Sequence, residues 1–139
     1  MSKPALTFDH IHIISRTPHD SADWYVRLLG AELVADTVAR GAPQIFLSLG
    51  GMTLVIRGQR PGESPADGTP IADRGDYSSH NEWGADHFGL LYHGDLRAFC
   101  ADLSAQGVEF PVPLKDGVGG RLLCYLSAPD GVSIEVMQA

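Results

Sequence analysis

The sequence predicts an α+β fold made of two βαβββ modules, and three observations predict it. FDHIHII, beginning at Phe8, returns as ADHFGLL beginning at Ala85. The same spacing carries Gly30 onto Gly107, Glu32 onto Glu109 and Leu49 onto Leu126, so the chain repeats itself across strand, helix and turn signals. Each copy then passes from a β-branched run to a helical pattern, and each closes on short apolar runs joined by a tight turn. The modules are residues 7–58 and 85–138, within a single domain of 139 residues.

Taken in order, residues 7–14 and 85–92 are rich in β-branched and aromatic side chains and read as the opening strands. A helix over 18–30 follows, with Pro18 near its start, Asp20 or Ser21 as N-cap, Trp24, Val26, Leu28 and Leu29 as its apolar residues, and Gly30 as its stop. In the second module Asp95 caps a helix that carries Leu96, Phe99, Cys100 and Leu103 on one side and ends at Gly107. Three short strands complete each unit: 32–38, 44–49 and 52–57, then 109–112, 121–126 and 132–137. Gly50-Gly51 and Pro129-Asp130-Gly131 are the hairpin turns, and the three-residue insertion of the second module falls there. Between the modules, 59–84 holds Pro61, Gly62, Pro65, Gly68, Pro70 and Gly75. It is too long for an ordinary connection and reads as a partly ordered flap.

Composition narrows the function. Ten basic against seventeen acidic residues give a net charge of −7, which argues against nucleic acid, whose phosphates need a clustered Lys/Arg surface. No apolar run approaches the roughly 18 residues of a membrane span, and MSKPALTFDH lacks the apolar stretch of a signal peptide, so the expectation is a cytoplasmic protein. Cys100 and Cys124 make no disulfide framework. At 44% hydrophobic, the chain can bury a core.

Parity along the strands sorts the six histidines. Ile11 and Ile13 face the helix, leaving His10, His12 and Ile14 on the other side. Phe88, Leu90 and Tyr92 face the second helix, leaving His87, Gly89 and Leu91. The last strand presents Ser133, Glu135 and Met137 on that inner side, and the fourth presents Thr53, Val55 and Arg57. A carboxylate in an otherwise apolar strand costs several kcal/mol unless paired or bound to metal. Glu135 therefore either pairs with Arg57 or joins His10 and His87, repeat-equivalent histidines, in a two-histidine, one-carboxylate metal triad. His12, two residues along the same face, is a candidate proton acceptor or an alternative or supporting ligand. Arg57 is a candidate for binding a substrate carboxylate or phosphate. His80 and Trp83, in the flap, are candidates to close over substrate, or are plain surface residues like His19 and His93.

The DHIHI strand, the WYVRLLGAEL segment, the second DHFGL strand and the SAPDGVSIEVMQ hairpin together resemble the vicinal oxygen chelate superfamily, which spans glyoxalase I, methylmalonyl-CoA epimerase, fosfomycin resistance proteins, extradiol dioxygenases and bleomycin resistance proteins. The resemblance covers nearly the whole chain. It implies curved mixed sheets around a metal-binding cavity, often in homodimers, with metal ligands at His10, His87 and Glu135. The fourth ligand of glyoxalases falls on Val55, which cannot bind metal. The remaining set of three is similar to that of fosfomycin resistance proteins and extradiol dioxygenases. It implies a divalent ion (Fe2+, Mn2+, Zn2+, Ni2+ or Co2+) and a small substrate chelated through vicinal oxygens, in dioxygenase, lyase or transferase chemistry. The alternative that the same resemblance carries is a metal-free, ligand-sequestering protein of the bleomycin-resistance type.

Overall fold

A computed structural model describes residues 5–139; the start of the MSKPALTFDH segment read above for a signal peptide lies outside the described residues. The chain forms two compact units, Met1–Pro65 and Ala66–Ala139, and each repeats one topology. In the first, β1 (His10–Ile14), α1 (Pro18–Leu29), β2 (Glu32–Ala39), β3 (Ala42–Leu49) and β4 (Met52–Arg57) build a sheet of order β1-β4-β3-β2. In the second, the hairpin β5 (Ala72–Asp73) and β6 (Ser78–Ser79) precedes β7 (Phe88–Tyr92), α2 (Leu96–Ala105), β8 (Val112–Asp116), β9 (Leu122–Ser127) and β10 (Ser133–Gln138). Their sheet order is β7-β10-β9-β8. In both sheets the opening strand pairs parallel to the closing one and the remaining pairs are antiparallel.

Local chemistry explains the boundaries. α1 starts with Pro18 in its first turn, where the missing N–H costs nothing. Thr17, rather than Asp20 or Ser21, occupies the N-cap, and its side chain makes no capping bond. Gly30 ends the helix at φ 74°, a left-handed conformation that glycine adopts without strain. α2 is capped by Asp95, whose carboxylate accepts the Ala98 N–H at 3.2 Å. Gly50 and Gly51, at φ 59° and 80°, supply the two positive φ angles of a two-residue hairpin.

The buried side of α1 differs from the expected one. Ser21, Ala22, Tyr25 and Leu28 are buried while Val26 is exposed, so the core stripe runs one step round from the aliphatic residues that drew attention. These side chains pack on β3 and β4, whose Ile45, Leu47, Leu54 and Ile56 are all buried to within 1%. The second core holds Leu96 and Leu103 of α2 with Leu126, Ile134 and Val136. Each such side chain stabilises the fold by about 1.5–3 kcal/mol through removal from water.

Two further expectations shift. β8 begins at Val112 rather than at 109, and its register slips between Val112 and Lys115, around Pro113. A proline has no N–H for a ladder and is tolerated here because β8 is an edge strand. The insertion of the second module is also divided. Ala128 N–H bonds Val132 O, so the turn holds residues 129–131, one more than Gly50-Gly51. The other two extra residues lie before β9, because Leu47 pairs with Leu54 whereas Leu126 pairs with Ile134. That change sets which residue faces Glu135.

Candidate functional site

The second unit gathers the denser cluster. β10 presents Glu135 between Gly89 of β7 and Tyr125 of β9, on one rung of the sheet. His87, one residue before β7, reaches the same carboxylate: its Nε2 lies 3.1 Å from Glu135 Oε2. The Tyr125 hydroxyl donates to that oxygen at 3.1 Å and sits 3.5 Å from His87 Nε2, its ring meeting the imidazole edge-on at 4.9 Å. The His87 and Glu135 side chains are 26% and 16% exposed, so they are partly dried yet open to solvent on one side. Burial first, then the Glu135 charge, pushes the Tyr125 hydroxyl up to about 12, and it remains a donor at neutral pH.

Asp86 decides the histidine's orientation. Its carboxylate accepts His87 Nδ1–H at 2.9 Å, and also the Ser79 hydroxyl and the His80 N–H, each at 2.9 Å. The His87 bond, reinforced by the other two, holds Asp86 below the usual carboxylate range. A neutral imidazole has one N–H. With an N–H on Nδ1 committed to Asp86, Nε2 faces the Glu135 carboxylate, and the 3.1 Å contact is favourable when either a proton or a metal ion lies between the two. Two ligands at about 2.1 Å from one metal, at right angles, lie about 3 Å apart. The donor set and its spacing therefore fit a divalent ion, with Asp86 as the outer carboxylate that fixes the ligating tautomer. Among the described residues, no group of three His, Cys, Asp or Glu side chains is placed to hold a metal ion.

The first unit repeats half of this device. Asp9 accepts His10 Nδ1–H at 2.7 Å, leaving His10 Nε2 as a lone-pair donor, and the His12 ring lies 6.1 Å from the His10 ring. Partial desolvation, then the Arg57 guanidinium, holds His12 below the usual imidazole range, which keeps it a neutral proton acceptor. Arg57 is only 8% exposed and donates to Glu63 at 2.9 Å and to Gly58 O at 3.0 Å. Its carboxylate partner is thus Glu63, a residue close in the chain, and the pairing with Glu135 entertained above is replaced by it.

The flap is anchored beside His87. Ser78 Oγ and Ser133 Oγ, both buried, lie 2.9 Å apart and tie β6 to β10. His80 is half-buried, with Nδ1 bonded to Thr69 O at 2.9 Å, so it serves the flap's structure and is no plain surface residue. His19, on the surface, pairs with Asp36 at 3.1 Å, and His93 is exposed. Trp83 is fully exposed and, with Tyr77, Glu82, Asp86 and His87, lines an open cavity of about 590 Å³. Sequence reasoning missed Tyr125, Asp86 and Asp9. The repeated Asp-His dipeptide is the signal for the two aspartates. For Tyr125 the signal is the turn, since pairing Ser127 with Ser133 sets Tyr125 opposite Glu135.

Comparison with known proteins agrees with this architecture. No curated protein matches the chain. Among solved structures, a glyoxylase/bleomycin resistance protein/dioxygenase domain from Frankia sp. EAN1pec superposes with a TM-score of 0.71 at 18% identity, covering 100% of this chain and 93% of its own. A mutant of the fosfomycin resistance protein FosX from Listeria monocytogenes, complexed with Mn(II) and 1S,2S-dihydroxypropylphosphonic acid, gives 0.65 at 16% identity, with 94% and 90% covered. TnmS3, an antibiotic binding protein from Streptomyces sp. CB03234, gives 0.66 at 22% identity, with 98% of each chain covered. At these identities the likeness is one of fold. The family model for the Glyoxalase/Bleomycin resistance protein/Dioxygenase superfamily matches residues 7–136, and with the doubled βαβββ topology described above, the chain belongs to that superfamily.

Proposed function

We propose that the protein is a divalent-metal-dependent enzyme acting on a small substrate held through vicinal oxygens, with His10, His87 and Glu135 as metal ligands. One observation carries this reading: His87 Nε2 and Glu135 Oε2 face each other at 3.1 Å while the Asp86 carboxylate accepts a hydrogen bond from Nδ1 on the far side of the ring. His10, whose Nδ1–H is held by Asp9 in the same way, is the third ligand. A bound divalent ion supplies Lewis-acid activation of the chelated oxygens, and the Mn(II) in the FosX complex makes Mn2+ the first ion to test beside Fe2+, Zn2+, Ni2+ and Co2+.

The chain's own side chains have distinct parts in this reading. Asp86 and Asp9 fix the histidine tautomers. Tyr125 donates a hydrogen bond to Glu135 and orients its carboxylate. His12, kept neutral, accepts a proton from the substrate. Arg57 and Trp83 contact the substrate's outer parts. The protein works as a cytoplasmic homodimer. Titration of the chelator-treated protein with Mn2+, followed by the loss of the free-ion spin-resonance signal, tests the metal. One ion bound per chain, weakened at least a hundredfold by His87→Ala and by Glu135→Gln, is expected. Absence of binding for all five ions refutes the reading.

The open cavity beside Trp83 favours the second reading, a metal-free protein that sequesters a ligand; the neighbour TnmS3 is an antibiotic binding protein. It requires that ligand affinity survive Glu135→Gln unchanged.

A further inference from the structure

The cavity beside His87 has a composition that speaks to what it holds. Its two large rings are left in water: Tyr77 is 45% exposed and Trp83 is fully exposed. Its charged lining residues are Glu82 and Asp86, and no lysine or arginine is among them. Both carboxylates are held in place, Glu82 by the Thr69 hydroxyl and Asp86 by Ser79, His80 and His87. Neither carboxylate is bonded to a lysine or arginine in these contacts.

The flap that carries the rings is a built element rather than a loose tip. Its base is pinned by the buried Ser78–Ser133 pair at 2.9 Å. Beyond that point Asn81 turns the chain at φ 56°, its N–H bonded to Ser79 Oγ at 2.9 Å. The rings of Tyr77 and Trp83 flank this anchored stretch.

Charge over the whole chain reinforces the pattern. Residues 1–65 carry six basic and six acidic side chains, whereas residues 66–139 carry four basic and eleven acidic ones. The entire net charge of −7 therefore belongs to the unit that holds the cavity. Aromatic faces attract cations through their quadrupole, exposed rings stack on flat ligands, and a cleft lined by one sign of charge concentrates the opposite sign.

Building on the substrate site proposed beside His87, we propose that the flap cavity selects a planar cation, a conjugated ring system bearing positive charge, stacked on Trp83 and Tyr77 with its charge against Glu82 and Asp86. An anionic ligand of the same shape is repelled, and a neutral one keeps only the stacking.

Equilibrium dialysis with three flat probes of matched shape tests this: N-methylacridinium, acridine and acridine-9-carboxylate, at a pH where acridine is neutral. The cation is expected to bind one per chain, at least tenfold tighter than either other probe, and to weaken as salt rises to about 0.5 M. Trp83→Ala and Glu82→Gln should each weaken it at least fivefold. Both substitutions sit on exposed side chains, and glutamine can still accept from Thr69, so folding is preserved. Equal affinity for acridine and the cation, or full affinity in Trp83→Ala, overturns the proposal. Mn2+ binding measured on the same samples separates the two readings. Selective cation binding without Mn2+ removes the metal enzyme and keeps the cation site, and Mn2+ binding without selectivity does the reverse.

Discussion

Tyr125→Phe isolates a single hydrogen bond at the centre of the candidate site. The ring stays, with its edge-on contact to His87 at 4.9 Å, and only the hydroxyl that donates to Glu135 Oε2 at 3.1 Å is lost. Hydrogen bonds to charged groups are worth about 1.5–3 kcal/mol. Glu135 is 16% exposed, so water partly replaces the hydroxyl and the lower end applies, about 1.5 kcal/mol. For a chain of this length that corresponds to a fall in Tm of about 5 °C. Urea unfolding of chelator-treated protein at neutral pH measures it as a lower midpoint with an unchanged slope. The double variant with Glu135→Gln locates the effect, because removing the charged acceptor should leave the hydroxyl little to stabilise, with a coupling of about 1 kcal/mol. A Tyr125→Phe protein within about 0.3 kcal/mol of the parent, or additive losses in the double variant, would refute the assignment of Tyr125 to the Glu135 carboxylate.

Other consequences are equally direct. Gly30→Ala and Gly107→Ala, at repeat-equivalent positions with φ 74° and 89° and open space around each Cβ, should each cost about 1–2 kcal/mol by conformational strain alone; a large difference between them in urea unfolding contradicts the equivalence. Ile56→Ala, at a fully buried position of β4, should cost about 3–4 kcal/mol, and a loss below about 1 kcal/mol removes it from the core. The Arg57 hydrogen bond holds Glu63 below the usual carboxylate range, so its stabilising contribution is complete above the ordinary glutamate pKa and is lost as pH falls through the lowered value. The stability gap between parent and Glu63→Gln should therefore be constant near neutrality and close in acid; a gap that widens on acidification has the wrong sign. Burial raises the pKa of both Cys100 and Cys124, whose sulfurs lie 3.6 Å apart. Both thiols should react slowly with a disulfide reagent in native protein and rapidly in urea, and fast native labelling of both contradicts the packing.

Much of the fold is legible in the chain because its determinants are local. The Asp-His strand openings, the Pro18 and Gly30 limits of α1, the Asp95 cap and the Gly50-Gly51 turn act within a few residues, and the repeat doubles each signal. Where local signals compete, the reading slips. Aliphatic residues of α1 outweighed Tyr25, although the helix face was chosen by the sheet it covers. Residues 109–111 looked like strand, although ladder pairing begins only at Val112, beside Pro113 on an edge.

What the sequence by itself determined is the doubled βαβββ plan, the superfamily it belongs to, and the residue types on each strand's inner side, because period-two alternation and turn chemistry need no distant partner. What only the tertiary structure decided is which of these side chains meet. The split of three extra residues between a turn and the approach to β9 brings Tyr125, rather than its neighbours, to Glu135. The reach of an arginine gives Arg57 to Glu63. The contact of Asp86 with one nitrogen of His87 turns the other toward Glu135 at 3.1 Å. Contacts of this kind depend on register summed over long loops and on sub-ångström side-chain geometry, and neither quantity is written in the periodicity of the chain.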